Sequence, residues 1–180
     1  VSALGRGYYR GKGLGTTGEG ASHGARFDSA QPVCYGSMFR PKELGSGGSP
    51  STAAYAGGRI QLNVAGSLTV NGAIDADVPA AAWYNSSGGS ILISCGRLAG
   101  AVTGSIHADG GNATNGKPGC GGRVAVYQTV ATDFGGYAGK ITAYGGNNGL
   151  AGGSPSRPAG TVYLQPAGMD DYCGTVKIAN

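Results

Sequence analysis

The sequence predicts an all-β protein that folds as a right-handed, three-sided parallel β-helix (a β-solenoid) of about four coils. Two observations predict this fold: short runs in which apolar and polar residues alternate, and the return of those runs every 31 to 38 residues. Period-two alternation is the pattern of a strand that buries one face. A repeat that holds several such strands, with like residues at like positions, is typical of stacked solenoid coils.

Two strand types recur four times each, and in both a glycine stands two positions before the leading apolar residue. In the first type, these leading residues are Ile60, Ile91, Val124 and Val162. In the second type, they are Ile74, Ile106, Ile141 and Val176. We expect each set to stack as one inward column, with a column of small residues near a corner at Ala76, Ala108 and Ala143.

Shorter segments at 66–70 and 96–100 supply the third strand of a coil, and they complete the three-sided arrangement. Glycine is abundant, at 38 of 180 residues, and it recurs just before the strands. Because glycine adopts positive φ without strain, we expect these glycines at the corners between strands. An antiparallel β-sandwich is the alternative fold, since regularly spaced strands also build sandwiches.

The chain divides into residues 1–57, which lack the strand pattern, and residues 58–180, which carry it; together they form one domain. The first segment is rich in Gly, Tyr and Ser and is expected to wrap or cap the first coil, with Cys34 as a tie. No capping segment follows the strand at 175–178. This predicts an uncapped end to which a further copy or more chain adds by strand pairing.

Composition excludes two classes of partner. Only 12% of residues are charged, and the net charge of +4 is scattered rather than gathered into a basic stripe, which argues against nucleic-acid binding. No apolar run reaches 18 residues, so no membrane span is predicted.

Dispersed cysteines and two glycosylation patterns indicate a secreted protein. The four cysteines suit up to two disulfides in an oxidising compartment, with the pairing left open: Cys34, Cys95, Cys120 and Cys173. Cys95 also takes an inward position, where a buried free thiol is the alternative. Asn85 and Asn112 begin N-glycosylation acceptor patterns.

An outward ladder carries the candidate chemistry, on residues that alternate with the second inward column: Asp75, His107, Thr142 and Lys177. A contact between Asp75 and His107 would form a proton-transfer pair, but a solvated polar ladder is the favoured interpretation. Asp75 and Asp77 are expected to face opposite sides of the strand. Asp77 and Asp109 occupy equivalent corner positions and are weak Ca²⁺ candidates; otherwise no cofactor is predicted.

Aromatic residues offer a second kind of contact. Trp83 and Tyr84 lie in an inter-coil loop, while Tyr127 and Tyr163 are expected to point outward from one sheet. Exposed aromatic rings contact carbohydrate or protein partners. Strand propensity alone also explains tyrosine at the two sheet positions.

The chain resembles glycine-rich modules of large secreted or cell-surface proteins, which look like pectin-lyase-type β-helices and mostly lack an assigned activity. The likeness is carried by segments spread over nearly the whole chain: 22–24, 35–37, 44–48, 57–64, 122–127 and 160–164. The resemblance implies a β-helix with an extracellular or cell-surface location, and it implies no catalytic residues.

These observations together predict a non-catalytic extracellular β-solenoid with a structural or adhesive role. Its expected partners are further copies, stacked end to end into filaments, or neighbouring modules of a longer chain. A polysaccharide-binding module, or a β-helix that cleaves polysaccharide, is the alternative.

Overall fold

The computed structural model describes residues 1–16, 20–26, 34–49, 55–79, 85–113, 116–147 and 157–179. Over these ranges the protein is all-β and has no helix, so none is present there that could cross a membrane. The strands are β1 (Arg59–Thr69), β2 (Ala73–Asp75), β3 (Ser90–Ala99), β4 (Ser105–His107), β5 (Arg123–Gln128), β6 (Lys140–Thr142), β7 (Thr161–Gln165) and β8 (Thr175–Lys177).

The strands form two sheets, and from β1 to β7 the chain alternates between them. One sheet has the order β1-β3-β5-β7-β8, and the other has the order β2-β4-β6. All pairs are parallel except β7 with β8. Each return to a sheet therefore places a strand beside the one left two elements earlier. This parallel pairing disagrees with the alternative of an antiparallel β-sandwich.

The register places like residues on like residues. In the larger sheet Ile60 pairs with Ile91, Ile91 with Val124, and Val124 with Val162, and all four are buried. In the smaller sheet the corresponding column is Ile74, Ile106 and Ile141, followed by the buried alanines Ala76, Ala108 and Ala143. These columns belong to one hydrophobic core shared by the two sheets.

The segments at 66–70 and 96–100 are not separate strands over most of their length. They continue β1 and β3 beyond a register shift that lies between Val64 and Ser67, and Leu68 then pairs with Leu98. A bulge of this kind bends a strand without ending it. Beyond the shift, Leu98 belongs to the same core as the residues before it, and Leu68 packs against that core.

The last strand does not join the smaller sheet, so the prediction for Val176 and Lys177 is wrong. β8 pairs antiparallel with β7, opposing Val176 to Tyr163 and Lys177 to Val162. Between these strands Gly168 and Tyr172 have φ of 82° and 66°, the left-handed conformation of tight turns, and the chain reverses there. The edge of β7 is consequently covered by β8, contrary to the predicted bare end.

The glycines that precede the strands serve close packing, and the expectation of positive φ is wrong for them. Gly89 and Gly122 are absent from the residues with positive φ. A Cβ on Gly89 would overlap the carbonyl oxygen of Gly58, and one on Gly122 would overlap that of Gly89. Before β3 and β5, the backbone approaches the preceding strand of the larger sheet so closely that no side chain fits between them.

The N-terminal segment contacts both sheets. Ser2 forms a parallel bridge with Asp75, which extends the smaller sheet by one rung. Farther along, the carbonyl oxygen of Tyr35 accepts a hydrogen bond from Arg123 Nε, and that of Phe39 accepts one from Tyr127 Oη. The described residues between 34 and 49 therefore cross the outward face of the larger sheet.

Candidate functional site

A polar ladder runs along the outward face of the smaller sheet. Asp75, His107 and Thr142 lie on successive strands, and each is paired in register with the next. Their neighbours in the chain point into the core, so alternation directs the three polar side chains outward. Lys177, predicted as the fourth member, lies on β8 in the other sheet and does not belong to the ladder.

His107 makes its shortest contact with Asp77 rather than with Asp75. Its Nδ1 lies 2.7 Å from Asp77 Oδ2 and 3.8 Å from Asp75 Oδ1. The expectation that the two aspartates face opposite sides is wrong, because residues two apart in an extended strand share a face. The hydrogen bond to Asp77 raises the pKa of His107, and the surrounding carboxylates raise it further against the opposing effect of burial.

Asp109 lies beside this pair and links it to the next rung. Its backbone N–H donates to Asp77 Oδ1 at 2.6 Å, and its own carboxylate accepts from Tyr144 N at 2.6 Å and from Thr142 Oγ1 at 3.0 Å. Burial, followed by the charge of Asp77, raises the pKa of Asp109 to about 6. The corner positions of Asp77 and Asp109 are thus joined through the backbone.

Every carboxylate oxygen of the three aspartates accepts a hydrogen bond from the protein. Asp75 Oδ1 accepts from Asp77 N at 2.8 Å, and Asp75 Oδ2 accepts from Ser2 Oγ at 3.3 Å. The oxygens of Asp77 and Asp109 are bonded as described above. The cluster therefore fastens neighbouring rungs to one another through side chain-to-backbone bonds.

Two other kinds of chemistry fit the residue types in this cluster. Asp75, Asp77 and His107 present possible metal-ligand atoms that all lie within 4.8 Å of one another. Ca²⁺ takes six to eight oxygen ligands, and the carboxylates that would supply them are already bonded to N–H and O–H donors. Proton transfer would use His107 and Asp109, and the pKa of Asp109, raised to about 6, lies closer to neutral pH than that of an ordinary carboxyl group.

The four aromatic residues predicted as contacts have different outcomes in the structure. Trp83 and Tyr84 lie outside the described residues. Tyr163 is fully buried: its ring lies 5.0 Å from that of Phe39, and its Oη accepts from Gly174 N. Its predicted role as an exposed contact is therefore wrong, because the N-terminal segment and the turn before β8 cover it. Tyr127 is half-buried and borders a groove.

The structure gives the predicted disulfides no support, since all four cysteines are free thiols. Cys95 and Cys120 are buried, whereas Cys34 and Cys173 are exposed. Burial raises the pKa of the Cys120 thiol to about 12 and also raises that of Cys95. Neither buried thiol is therefore activated as a nucleophile.

The two predicted glycosylation sites differ in access. Asn85 is fully buried, with its Nδ2 donating to the carbonyl oxygen of Asn112 and its Oδ1 accepting from Ser86 N. No room remains there for a sugar, so this prediction does not fit the structure. Asn112 is exposed, and the third residue of its acceptor pattern lies outside the described residues.

Sequence reasoning missed two buried polar residues that hold the N-terminal segment in place. His23 Nδ1 bonds the carbonyl oxygen of Gly88 at 2.8 Å, and its ring stacks on Tyr35 at 4.5 Å. Arg123 is buried and donates to Tyr35 O and Thr161 Oγ1. Both residues stand in segments that carry the family resemblance, 22–24 and 122–127, but their contacts join segments distant in sequence, so no local pattern predicts those contacts.

Comparison with known protein families, with curated proteins and with solved structures finds no match to this chain.

Proposed function

We propose that the protein is a right-handed, three-sided parallel β-solenoid of about four coils. The in-register columns support this, because stacked coils require like residues at like positions. The register shift in β1 and β3 supplies the bend between two of the three sides. Right-handedness follows the general rule for a chain that leaves a parallel strand and returns beside it.

The function proposed for this solenoid is that of a non-catalytic structural or adhesive module, secreted or on the cell surface. One observation carries the proposal: each of the six carboxylate oxygens of Asp75, Asp77 and Asp109, the aspartates around His107, accepts a hydrogen bond from within the protein. Catalytic carboxylates need oxygens directed at a substrate. Here they act as cross-links between rungs, which is the chemistry of a scaffold.

Strand addition at β1 is the proposed mode of assembly. β1 pairs only with β3 among the described strands, so its other edge is free. Leu62 and Val64 on β1 are half-buried, whereas their partners Ile93 and Cys95 on β3 are shielded from solvent. An exposed edge with incompletely buried apolar residues favours pairing with another strand. The occupant proposed for it is a second copy of the chain or a neighbouring module.

Light scattering and negative-stain electron microscopy test this assembly. We expect wild-type protein to form oligomers or fibres that grow with concentration. Val64→Lys places a charge at the free edge and is expected to leave a folded monomer, because an inward-pointing lysine blocks edge-to-edge pairing. Val102→Lys, in an exposed turn, is the matched control and should assemble as the wild type does.

Circular dichroism establishes that each variant keeps its β structure. A wild type that stays monomeric at every concentration tested, or a Val64→Lys variant that still assembles, would contradict strand addition. Release of sugars from an acidic glycan that disappears in His107→Ala would contradict the non-catalytic assignment, and would favour polysaccharide cleavage by the His107, Asp77 and Asp109 cluster.

A further inference from the structure

A polar groove crosses the outward face of the larger sheet, away from the His and Asp cluster. It has a volume of about 490 Å³, within the size range of small-molecule sites. Its floor is a row of outward residues on four adjacent strands of the larger sheet, β1, β3, β5 and β7. Asn63 pairs with Ser94, Ser94 with Tyr127, and Tyr127 with Gln165. The groove therefore runs across the strands, with one side chain at each step of about 4.8 Å.

The lining offers hydrogen-bonding groups that the protein itself leaves free. Within the described part of the chain, the side chains of Asn63 and Ser94 make no hydrogen bond. Gln165 Oε1 accepts from Tyr163 Oη, and Gln61 Oε1 accepts from the Arg59 guanidinium. Each glutamine is thereby fixed through its oxygen, which leaves its NH₂ group to donate to a ligand.

The same groove has an apolar part and no net charge. The half-buried side chains of Leu92 and Tyr127 lie beside the polar row. Tyr127 Oη donates to Phe39 O, which fixes the ring while the oxygen still accepts a bond. One cation and one anion, Arg40 and Asp171, border the groove, so its formal charges cancel.

We propose that this groove binds a neutral oligosaccharide segment. A sugar ring presents hydroxyl groups around its edge and C–H groups on its face, which match amide and hydroxyl side chains beside an aromatic ring. The balanced charge favours a neutral ligand over an acidic one. A peptide bound by strand addition would need a sheet edge for its backbone bonds, and the groove lies on a sheet face.

Isothermal titration with defined oligosaccharides tests the proposal. The probes are hexasaccharides of β-1,4-linked glucose, mannose and xylose, with a galacturonate hexasaccharide as the acidic comparator. We expect at least one neutral probe to bind with a Kd below about 1 mM. Ser94→Phe fills the middle of the row and is expected to weaken that binding at least about tenfold.

Ser105→Phe is the matched control, because Ser105 is an outward residue on the central strand of the smaller sheet. It should bind the probe as the wild type does. Asn63→Ala removes one polar group without filling the groove and should lower the affinity several-fold, about the worth of one hydrogen bond. No neutral probe binding in this range, a preference for the galacturonate probe, or equal weakening by the two phenylalanine variants would each overturn the proposal.

Discussion

Three ionisable side chains have pKa values that tie folding to pH in opposing directions. Burial lowers the pKa of His23 to about 4. The folding stability that this residue contributes is therefore lost as the pH falls from about 6.5 through 4. Asp109 has a pKa raised to about 6 and contributes stability at low pH that is lost as the pH rises through 6. The raised pKa of His107 acts in the same sense, through stability that is lost as the pH rises.

We expect His23 to make the protein sensitive to acid. A neutral imidazole fits the buried site, where Nδ1–H donates to Gly88 O and Nε2 has no hydrogen-bond partner among the described residues. Protonation at that site would bury a charge, at a cost of about 3 kcal/mol between pH 7 and pH 4. His23→Phe keeps a ring to stack on Tyr35 and removes the titrating group. Between pH 7 and pH 4, the unfolding free energy of this variant should therefore fall less than that of the wild type.

Urea denaturation of both proteins at a series of pH values measures the difference. The comparison isolates His23, because Asp109 and His107 titrate alike in the wild type and the variant. Parallel stability curves for the two proteins between pH 7 and pH 4 would show that His23 is not the acid-sensitive group.

Glycine just before a strand can determine how closely the backbones of two paired strands approach. Gly89 lies against the carbonyl oxygen of Gly58 and the carbonyl carbon of Gly57, so an added methyl group would have to displace backbone. Gly72, which precedes β2, has no atom within 4 Å of the position where a Cβ would stand. The two glycines precede neighbouring strands and differ only in what surrounds them.

Gly89→Ala is expected to lower the unfolding free energy by about 2–3 kcal/mol, because overpacking against a rigid backbone costs this much. Gly72→Ala is the matched control, and it should change the stability by less than about 1 kcal/mol, since its methyl group meets open space. Thermal and urea denaturation measure both. Equal effects of the two substitutions would contradict the close-packing role of Gly89.

The inward columns could be predicted from the sequence because period-two alternation and repeat spacing are both printed in it. Ile60 and Ile91 pair as their spacing predicts. The direction of a strand relative to its partner could not be predicted in the same way, because the alternation at 175–178 is the same for a parallel and an antiparallel strand. The antiparallel course of β8 follows from the turn at Gly168 and Tyr172.

The candidate site was predictable only in part, for a geometric reason. The in-register ladder of Asp75, His107 and Thr142 follows from the repeat. The closer partner of His107 is Asp77, which shares a face with Asp75 because the two residues are two apart in an extended segment. Bonds that reach between segments distant in sequence, such as Arg123 to Tyr35, leave no local pattern.

Residues 34–49, which form no strand or helix, lie across the outward face of the larger sheet and are called the cover below. Between residues 34 and 49, three backbone carbonyl oxygens accept hydrogen bonds from side chains of β3 and β5: Glu43 O from Ser90 Oγ, Tyr35 O from Arg123 and Phe39 O from Tyr127. Loops bound mainly through such contacts open locally before a sheet unfolds. The cover and the sheets are therefore expected to have separable stabilities.

Arg123→Met tests that separation. Arg123 is buried and has no carboxylate partner within the described ranges; its guanidinium instead donates to Tyr35 O and Thr161 Oγ1. Methionine keeps much of the apolar length and removes both bonds, so residues 34–43 should exchange their amide hydrogens at least about tenfold faster. The central strands β3 and β5 should keep their protection, because removing a buried cation relieves its desolvation cost.

Arg97→Met, at an exposed position on β3, is the control and should leave exchange in both regions unchanged. Faster exchange in β3 and β5 as well would mean that the cover and the sheets unfold as one unit.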